Sequence, residues 1–218
     1  MSVVVITPPA PIVTPDAAGQ HLRLDPGADT ALLQVYIAAA QGMIDGPMGW
    51  LGRAVGVQTL ELRLDGLSSP IWAWNYDTSG IFWGAQDNYA ALSAGWPSSR
   101  VNLPFPPLVS VVSVTYEDSN GATQTLPSSE YVATDQGLDT AFGKTFPSGR
   151  WEANAVHIRY QAGYATVPAP IVAAILLMVG DLYANRETTL DARKSAVVEI
   201  PMSTTVQALL GPYRVWDS

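Results

Sequence analysis

The side chains with the chemistry of a general base or metal ligand are few here, and they stand apart. Histidine is the usual candidate for both roles, and the chain has two: His21, beside a leucine-rich stretch, and His157, on the polar side of an alternating run. Neither belongs to a G-x-S-x-G, H-E-x-x-H, Walker-type or G-x-G-x-x-G pattern, so a hydrolase, zinc or nucleotide site would need assembly wholly from distant residues. The paired acids Glu117-Asp118 precede Asn120-Gly121, a turn where solvated carboxylates are ordinary. The absence of cysteine excludes disulfides and thiolate metal sites. The expectation is therefore no catalytic residue, no cofactor and no metal.

The richest stretch is aromatic. Residues 68–100 hold four of the seven tryptophans, and Trp72, Trp74 and Tyr76 are spaced to share one face of a strand. A long hairpin turning at 77–80 could pack these rings on one another. It could equally present them, with Trp83, as a protein interface or as a sugar-stacking platform in a carbohydrate-binding or adhesion module. A second open choice concerns Pro104-x-x-Pro107. It reads as a polyproline ligand flanked by Arg100, or as a rigid lead-in to a strand, and its unbroken run into a β-forming segment favours the lead-in.

Composition narrows the partners. Of 218 residues, 48% are apolar and 14% charged, which suits a packed globular chain. The net charge is −8 and the one adjacent basic pair is Arg193-Lys194, so there is no patch for gripping phosphates, and an acidic wall would let DNA slide past. The apolar start "MSVVVITPPAPIVTPD" lacks a basic leader region and is broken by prolines, which predicts an extended arm. "IVAAILLMVG" falls short of the roughly 20 residues a membrane span needs, so no membrane association is expected.

The elements that must position these residues follow from periodicity. Thr14-Pro15-Asp16 starts a short helix, with threonine as N-cap and proline at the first helical position. Asp29 is placed to cap a second helix whose stripe is Leu32, Leu33, Tyr36, Ile37, Ala40 and Ile44, ended by Gly46-Pro47. "TLELRLDG" alternates as a half-buried strand, with Leu60, Leu62 and Leu64 against Thr59, Glu61 and Arg63. From Leu108 a strand alternates Val112, Val114 and Tyr116 against Ser113 and Thr115, and Asn120-Gly121 turns it back into "ATQTL". "EYVAT" follows, then "AVHIRYQAGY", with Val156, Ile158 and Tyr160 opposite His157, Arg159 and Gln161. "VPAPIVAAILLMVGDLYANRE" is apolar on nearly every side, the mark of a central core helix, and "VQALLGPYRVWDS" is a short amphipathic tail. The class is α+β: helices from both ends form a bundle with an inserted antiparallel β domain. The boundaries predicted are 1–55 for the arm and first helices, 56–165 for the β domain with its 68–100 insertion, and 166–218 for the core helix and tail.

Taken in order, "VITPPAPIVTPDAAGQHLRLD", "TALLQVYIAAAQGMID", "TLELRLDG", "VNLPFPPLVSVVSVTYEDSNGATQTL", "VHIRYQAGYATVPAPIVAAILLMVGDLYANRE" and "VQALLGPYRVW" resemble the head-to-tail connector (adaptor, or head-completion) family of tailed bacteriophages, which includes gene transfer agent adaptors. The proline-led strand, the R-Y-x-A-G-Y strand exit and the A-L-L-x-P-Y-R tail carry most of the likeness. The resemblance implies a non-enzymatic virion protein, assembled in the bacterial cytoplasm as a homo-oligomeric ring of about a dozen copies. The ring would sit between the portal protein and a tail-side stopper or tail completion protein, with genomic DNA passing its lumen unread. It further implies that the prolines enter a core strand. The helices 29–44 and 171–186 would form the ring body. Leu33, Tyr36, Trp72, Trp74 and Trp83 are the candidate subunit-interface residues, the tryptophans on an aromatic hairpin whose role the family does not predict and which could contact a neighbouring subunit or the capsid. The tail would be the portal-docking arm, through Val206, Leu209, Leu210, Tyr213, Arg214 and Trp216. Residues 68–100 are longer than the family pattern leads one to expect.

Overall fold

The computed structural model describes residues 2–67, 100–135, 137–150, 152–185 and 202–215. The chain divides into two compact units, one of Met1–Val4, Leu60–Pro104 and Ser110–Gln161, the other of Val5–Thr59, Phe105–Val109 and Ala162–Ser218.

The first unit is built from antiparallel strands. A five-stranded sheet has the order β1 (Ser2–Thr7), β2 (Gln58–Leu64), β8 (Val156–Ala162), β4 (Leu108–Glu117), β5 (Thr123–Thr125). A three-stranded sheet joins β3 (Val101–Asn102), β7 (Gly137–Thr140) and β6 (Tyr131–Thr134), with Val101 opposite Leu138 and Ala133 opposite Leu138 on its other side. Period two decides what is buried: Leu60 and Leu62 on β2, and Val156, Ile158 and Tyr160 on β8, are all at 2% exposure or less. Burying side chains of this size contributes about 1.5–3 kcal/mol each. The β4–β5 hairpin forms at the expected turn. Asp118 Oδ1 accepts the Asn120 and Ala122 N–H groups, and Gly121 takes the positive φ that the turn requires.

The strand led by the prolines differs from the core strand expected. Of β4 only Val114 is fully buried, while Val109 and Val112 are about half exposed. The reason is position: β4 lies next to the sheet's last strand, and three-residue β5 pairs only with Thr115–Glu117. Residues 103–108 are themselves buried or half-buried, and the Pro106-Pro107 bond is cis. Two hydrogen bonds hold the segment, Tyr160 Oη–H donating to the Pro104 carbonyl at 2.7 Å and Gly163 N–H to the Pro107 carbonyl at 2.9 Å. Both donors belong to the R-Y-x-A-G-Y strand exit, which gives those residue types a physical role.

The second unit is helical. Its helices are α1 (Pro15–His21), α2 (Thr30–Ile44), α3 (Ala169–Ala184) and α4 (Thr204–Leu210), the last followed by a 3-10 turn over Gly211–Tyr213. Thr14 caps α1 as its sequence predicts, its hydroxyl accepting the Ala17 N–H at 3.2 Å. Asp29 does not cap α2 with its side chain. Its backbone is left-handed, which turns the carboxylate away from the first turn, and Oδ2 accepts the Tyr183 hydroxyl of α3 at 2.7 Å. Leu33, Ile37, Ala40 and Ile44 of α2 and Ile171, Ala174, Ile175, Met178 and Val179 of α3 make one core, with Val172, Leu176 and Leu177 half-buried around it. Among the described residues no helix is long and apolar enough to cross a membrane.

Candidate functional site

Three places have geometry that bears on function. The first is the tail. Ser203 caps α4, its hydroxyl accepting the Val206 N–H, and the helix packs on α3. Val206 and Leu210 are fully buried there, so they anchor the arm to its own body, whereas Leu209, Tyr213 and Arg214 are half-buried at the arm's edge. The Arg214 guanidinium lies 4.3 Å from the Trp50 ring centroid, and Val215 N–H donates to the Leu51 carbonyl at 2.8 Å. Trp216 lies outside the described residues.

The second is the outward side of α2. Not one of its fifteen residues is charged. Leu33 is 1% exposed and faces the core, and Tyr36 is half-buried against it. The side turned to solvent is Ala31, Gln34, Val35, Ala38, Ala39, Gly42 and Met43, with Val35 at 62% exposure. A solvated helix normally carries charge on that side, so this face is unusually bare. Trp72, Trp74 and Trp83, the aromatic candidates, lie outside the described residues.

The third is a polar cluster on the first unit that sequence reading missed. Glu61 sits on the alternate, nominally outward side of β2, yet its side chain is only 2% exposed. Its Oε1 accepts from Arg63 Nε at 2.8 Å and lies 3.0 Å from His157 Nδ1, while Oε2 accepts from Arg159 Nε at 2.6 Å. Burial alone would push this carboxyl up. The hydrogen bonds from Arg159, His157 and Arg63, with the charge of Arg159, outweigh it and hold the group down at about 2. Glu61 is thus a fixed anion at neutral pH and an ineffective proton acceptor, since a general base works best with a pKa near the working pH. His157, one of the two candidate bases, is engaged with this anion; His21, the other, is exposed at the end of α1. Among the described residues no group of three or more histidine, cysteine, aspartate or glutamate side chains is arranged to hold a metal ion.

No family model and no curated protein matches the sequence. Solved structures do match. A chain in the virion of the native gene transfer agent (GTA) particle aligns with a TM-score of 0.66 at 19% identity, covering 100% of this chain and 97% of that one. A chain in the neck of the empty GTA particle, computed with C6 symmetry, gives the same values. One in the neck of the native particle, computed with C12 symmetry, gives 0.58 at 17% identity with the same coverage. The three alignments span the whole chain. At such identity the likeness speaks for the fold, which is α+β as the sequence predicts, and the roles of individual residues must come from their own chemistry.

Proposed function

We propose that this chain is a structural subunit of the neck of a phage-like particle. It is a non-enzymatic head-to-tail adaptor that forms a homo-oligomeric ring of about a dozen copies between the portal and the tail-side stopper or completion protein. The observation that carries the reading is the full-length fold match to chains of GTA virion and neck structures, two of them computed with six- and twelve-fold symmetry. Genomic DNA passes through the lumen without being read, which suits a net charge of −8. The ring is assembled in the bacterial cytoplasm and ends up in the virion.

Ring closure needs two different faces on each subunit. The bare outward side of α2 supports one of them, with Val35, Ala38, Gly42 and Met43 beside half-buried Tyr36 as contacts. Leu33 serves by holding α2 in place. The candidate tryptophans Trp72, Trp74 and Trp83 belong to the same proposal as contacts to a neighbouring copy. The tail docks on the portal through the half-exposed edges of Leu209, Tyr213 and Arg214, together with Trp216, while Val206 and Leu210 fasten α4 to the body.

Quantitative mass spectrometry of DNA-filled particles from a producing culture tests the function. The expected result is this chain at a near-equal ratio to the portal protein, and its absence from particles overturns the reading. Replacing Leu209, Tyr213 and Arg214 together with alanine should abolish binding to isolated portal rings with the fold retained. Undiminished binding would remove the tail's assigned role.

A further inference from the structure

The Glu61 cluster has more cation than it needs for itself. One buried carboxylate faces two guanidinium groups, an excess of one positive charge before His157 is counted. Each arginine uses only its Nε on Glu61, at 2.8 and 2.6 Å, and among the described residues each Nη pair is left for another acceptor. The three side chains are exposed by 35% for Arg63, 39% for His157 and 51% for Arg159. Arg63 follows Glu61 by two residues on β2, and His157 and Arg159 are likewise two apart on neighbouring β8, so strand periodicity presents all of them on one side of the sheet. A guanidinium gripped at Nε by a buried anion loses rotamer freedom before any partner arrives, which lowers the entropic cost of a further bond.

Acids outnumber bases 19 to 11 in this chain, so an arginine pair on one side of a sheet concentrates charge of the minority sign. We infer that the outward edges of Arg63 and Arg159 dock carboxylate side chains of a second copy of this chain, with Glu61 as the positioning residue behind them. The inference rests on the ring reading, which supplies a neighbouring copy at high local concentration. A second copy offers 19 acidic side chains, and the forked guanidinium matches carboxylate geometry. Duplex DNA is the weaker candidate. Two phosphate contacts give a salt slope of only about −2, whereas tight non-specific binding rests on roughly 6–10 such contacts.

The test uses particles carrying Arg159→Lys in this chain, treated with a carbodiimide that joins an amine to a carboxylate at contact distance. Immunoblotting of wild-type particles first establishes that the chain is in the particle; absence of the wild-type chain would count against the adaptor reading itself. With the chain present, the expected product is a chain–chain dimer on a denaturing gel, its linked peptides mapping the position 159 amine to an acid other than Glu61. A link only to Glu61, or to a different protein, overturns the inference. As a second measurement, Arg63→Gln with Arg159→Gln should lower the chain's copies per particle at least tenfold; Tm falls as Glu61 loses two partners, and circular dichroism of the purified variant checks that it is still folded at the growth temperature. Unchanged incorporation overturns the inference. So does retained incorporation with a loss of DNA from the particles, which would assign the pair to phosphates.

Discussion

The two units each bury a carboxylate, and they satisfy it in opposite ways. Asp45, at the C-terminal end of α2, accepts the backbone N–H groups of Val55 at 2.7 Å and Gly56 at 3.1 Å, and the side-chain amides of Gln58 at 2.8 Å and Gln41 at 3.3 Å. Gln41 in turn accepts the Ile12 N–H and donates to the Ala10 carbonyl, so the N-terminal arm, the helix end and the approach to β2 are joined through neutral donors. Glu61 in the first unit is held by cations whose remaining donors face solvent. An anion closed off by backbone amides serves the fold alone. One clasped by half-exposed arginines also leaves an interaction surface.

The largest expected effect breaks that contrast at Asp45. Asp45→Ala strands two buried backbone donors and two buried amides, which should cost about 4 kcal/mol in denaturant unfolding. Asp45→Asn keeps one oxygen but turns an N–H2 toward donors, and about half that loss is expected. A cost under about 1 kcal/mol for Asp45→Ala would show that water replaces the carboxylate and that the hub is dispensable.

Glu61 comes next, and pH reads it. A carboxylate whose pKa is lowered on folding stabilises the folded state in its charged form. That contribution is complete above the ordinary glutamate value of 4.5 and is lost as pH falls toward about 2. Because its partners are half-exposed to water, the loss should be about 2 kcal/mol, below what the full shift would give. Urea unfolding between pH 5 and 2 should fall more steeply for the wild type than for Glu61→Gln, with the two converging at the acid end. Parallel curves would mean that Glu61 is not held by its partners.

Neither carboxylate could be found in the sequence, and the reason is physical. Alternation over "TLELRLDG" puts Glu61 on the polar side of β2, and that assignment is right. What buries it arrives from His157 and Arg159, 96 and 98 residues away, and no local pattern reports such a pairing. Asp45 reads as the last residue before a Gly46-Pro47 stop, while its backbone donors lie ten and eleven residues on, at Val55 and Gly56. Elements with strong periodicity were legible: α2, α3, β2 and β8 all lie where their apolar spacing predicts. Burial was legible only where the partner was implied. Leu33 and Val35, two residues apart, fall on opposite sides of α2, and the tail's Val206 and Leu210 turn inward, so the candidate contacts included residues that belong to the core. Gly163 is a case where residue type and role agree. At φ +128° a Cβ would lie 2.3 Å from the Gly56 carbonyl oxygen, so the A-G-Y strand exit tolerates no side chain there.

The smallest effects sharpen the contrast most, because each removes one donor and keeps the carboxylate. Gln58 is 3% exposed, and Gln58→Met withdraws one of Asp45's four partners from a dry site. The anion retains Val55, Gly56 and Gln41, so about 1 kcal/mol is the expected loss. Arg63→Met withdraws one of Glu61's three partners from a site open to water on that side. Arg63 is about a third exposed, so water enters the space it leaves and supplies the missing hydrogen bond to the buried Glu61, and the loss should stay at about 0.5 kcal/mol. The two variants are compared by chemical denaturation at pH 7 and at two salt concentrations. Added salt should shrink the Arg63→Met difference and leave the Gln58→Met difference unchanged, because screening reaches charges in water and not a neutral amide inside the fold. Equal costs with equal salt responses would erase the distinction between a carboxylate that stitches the chain and one that arms its surface.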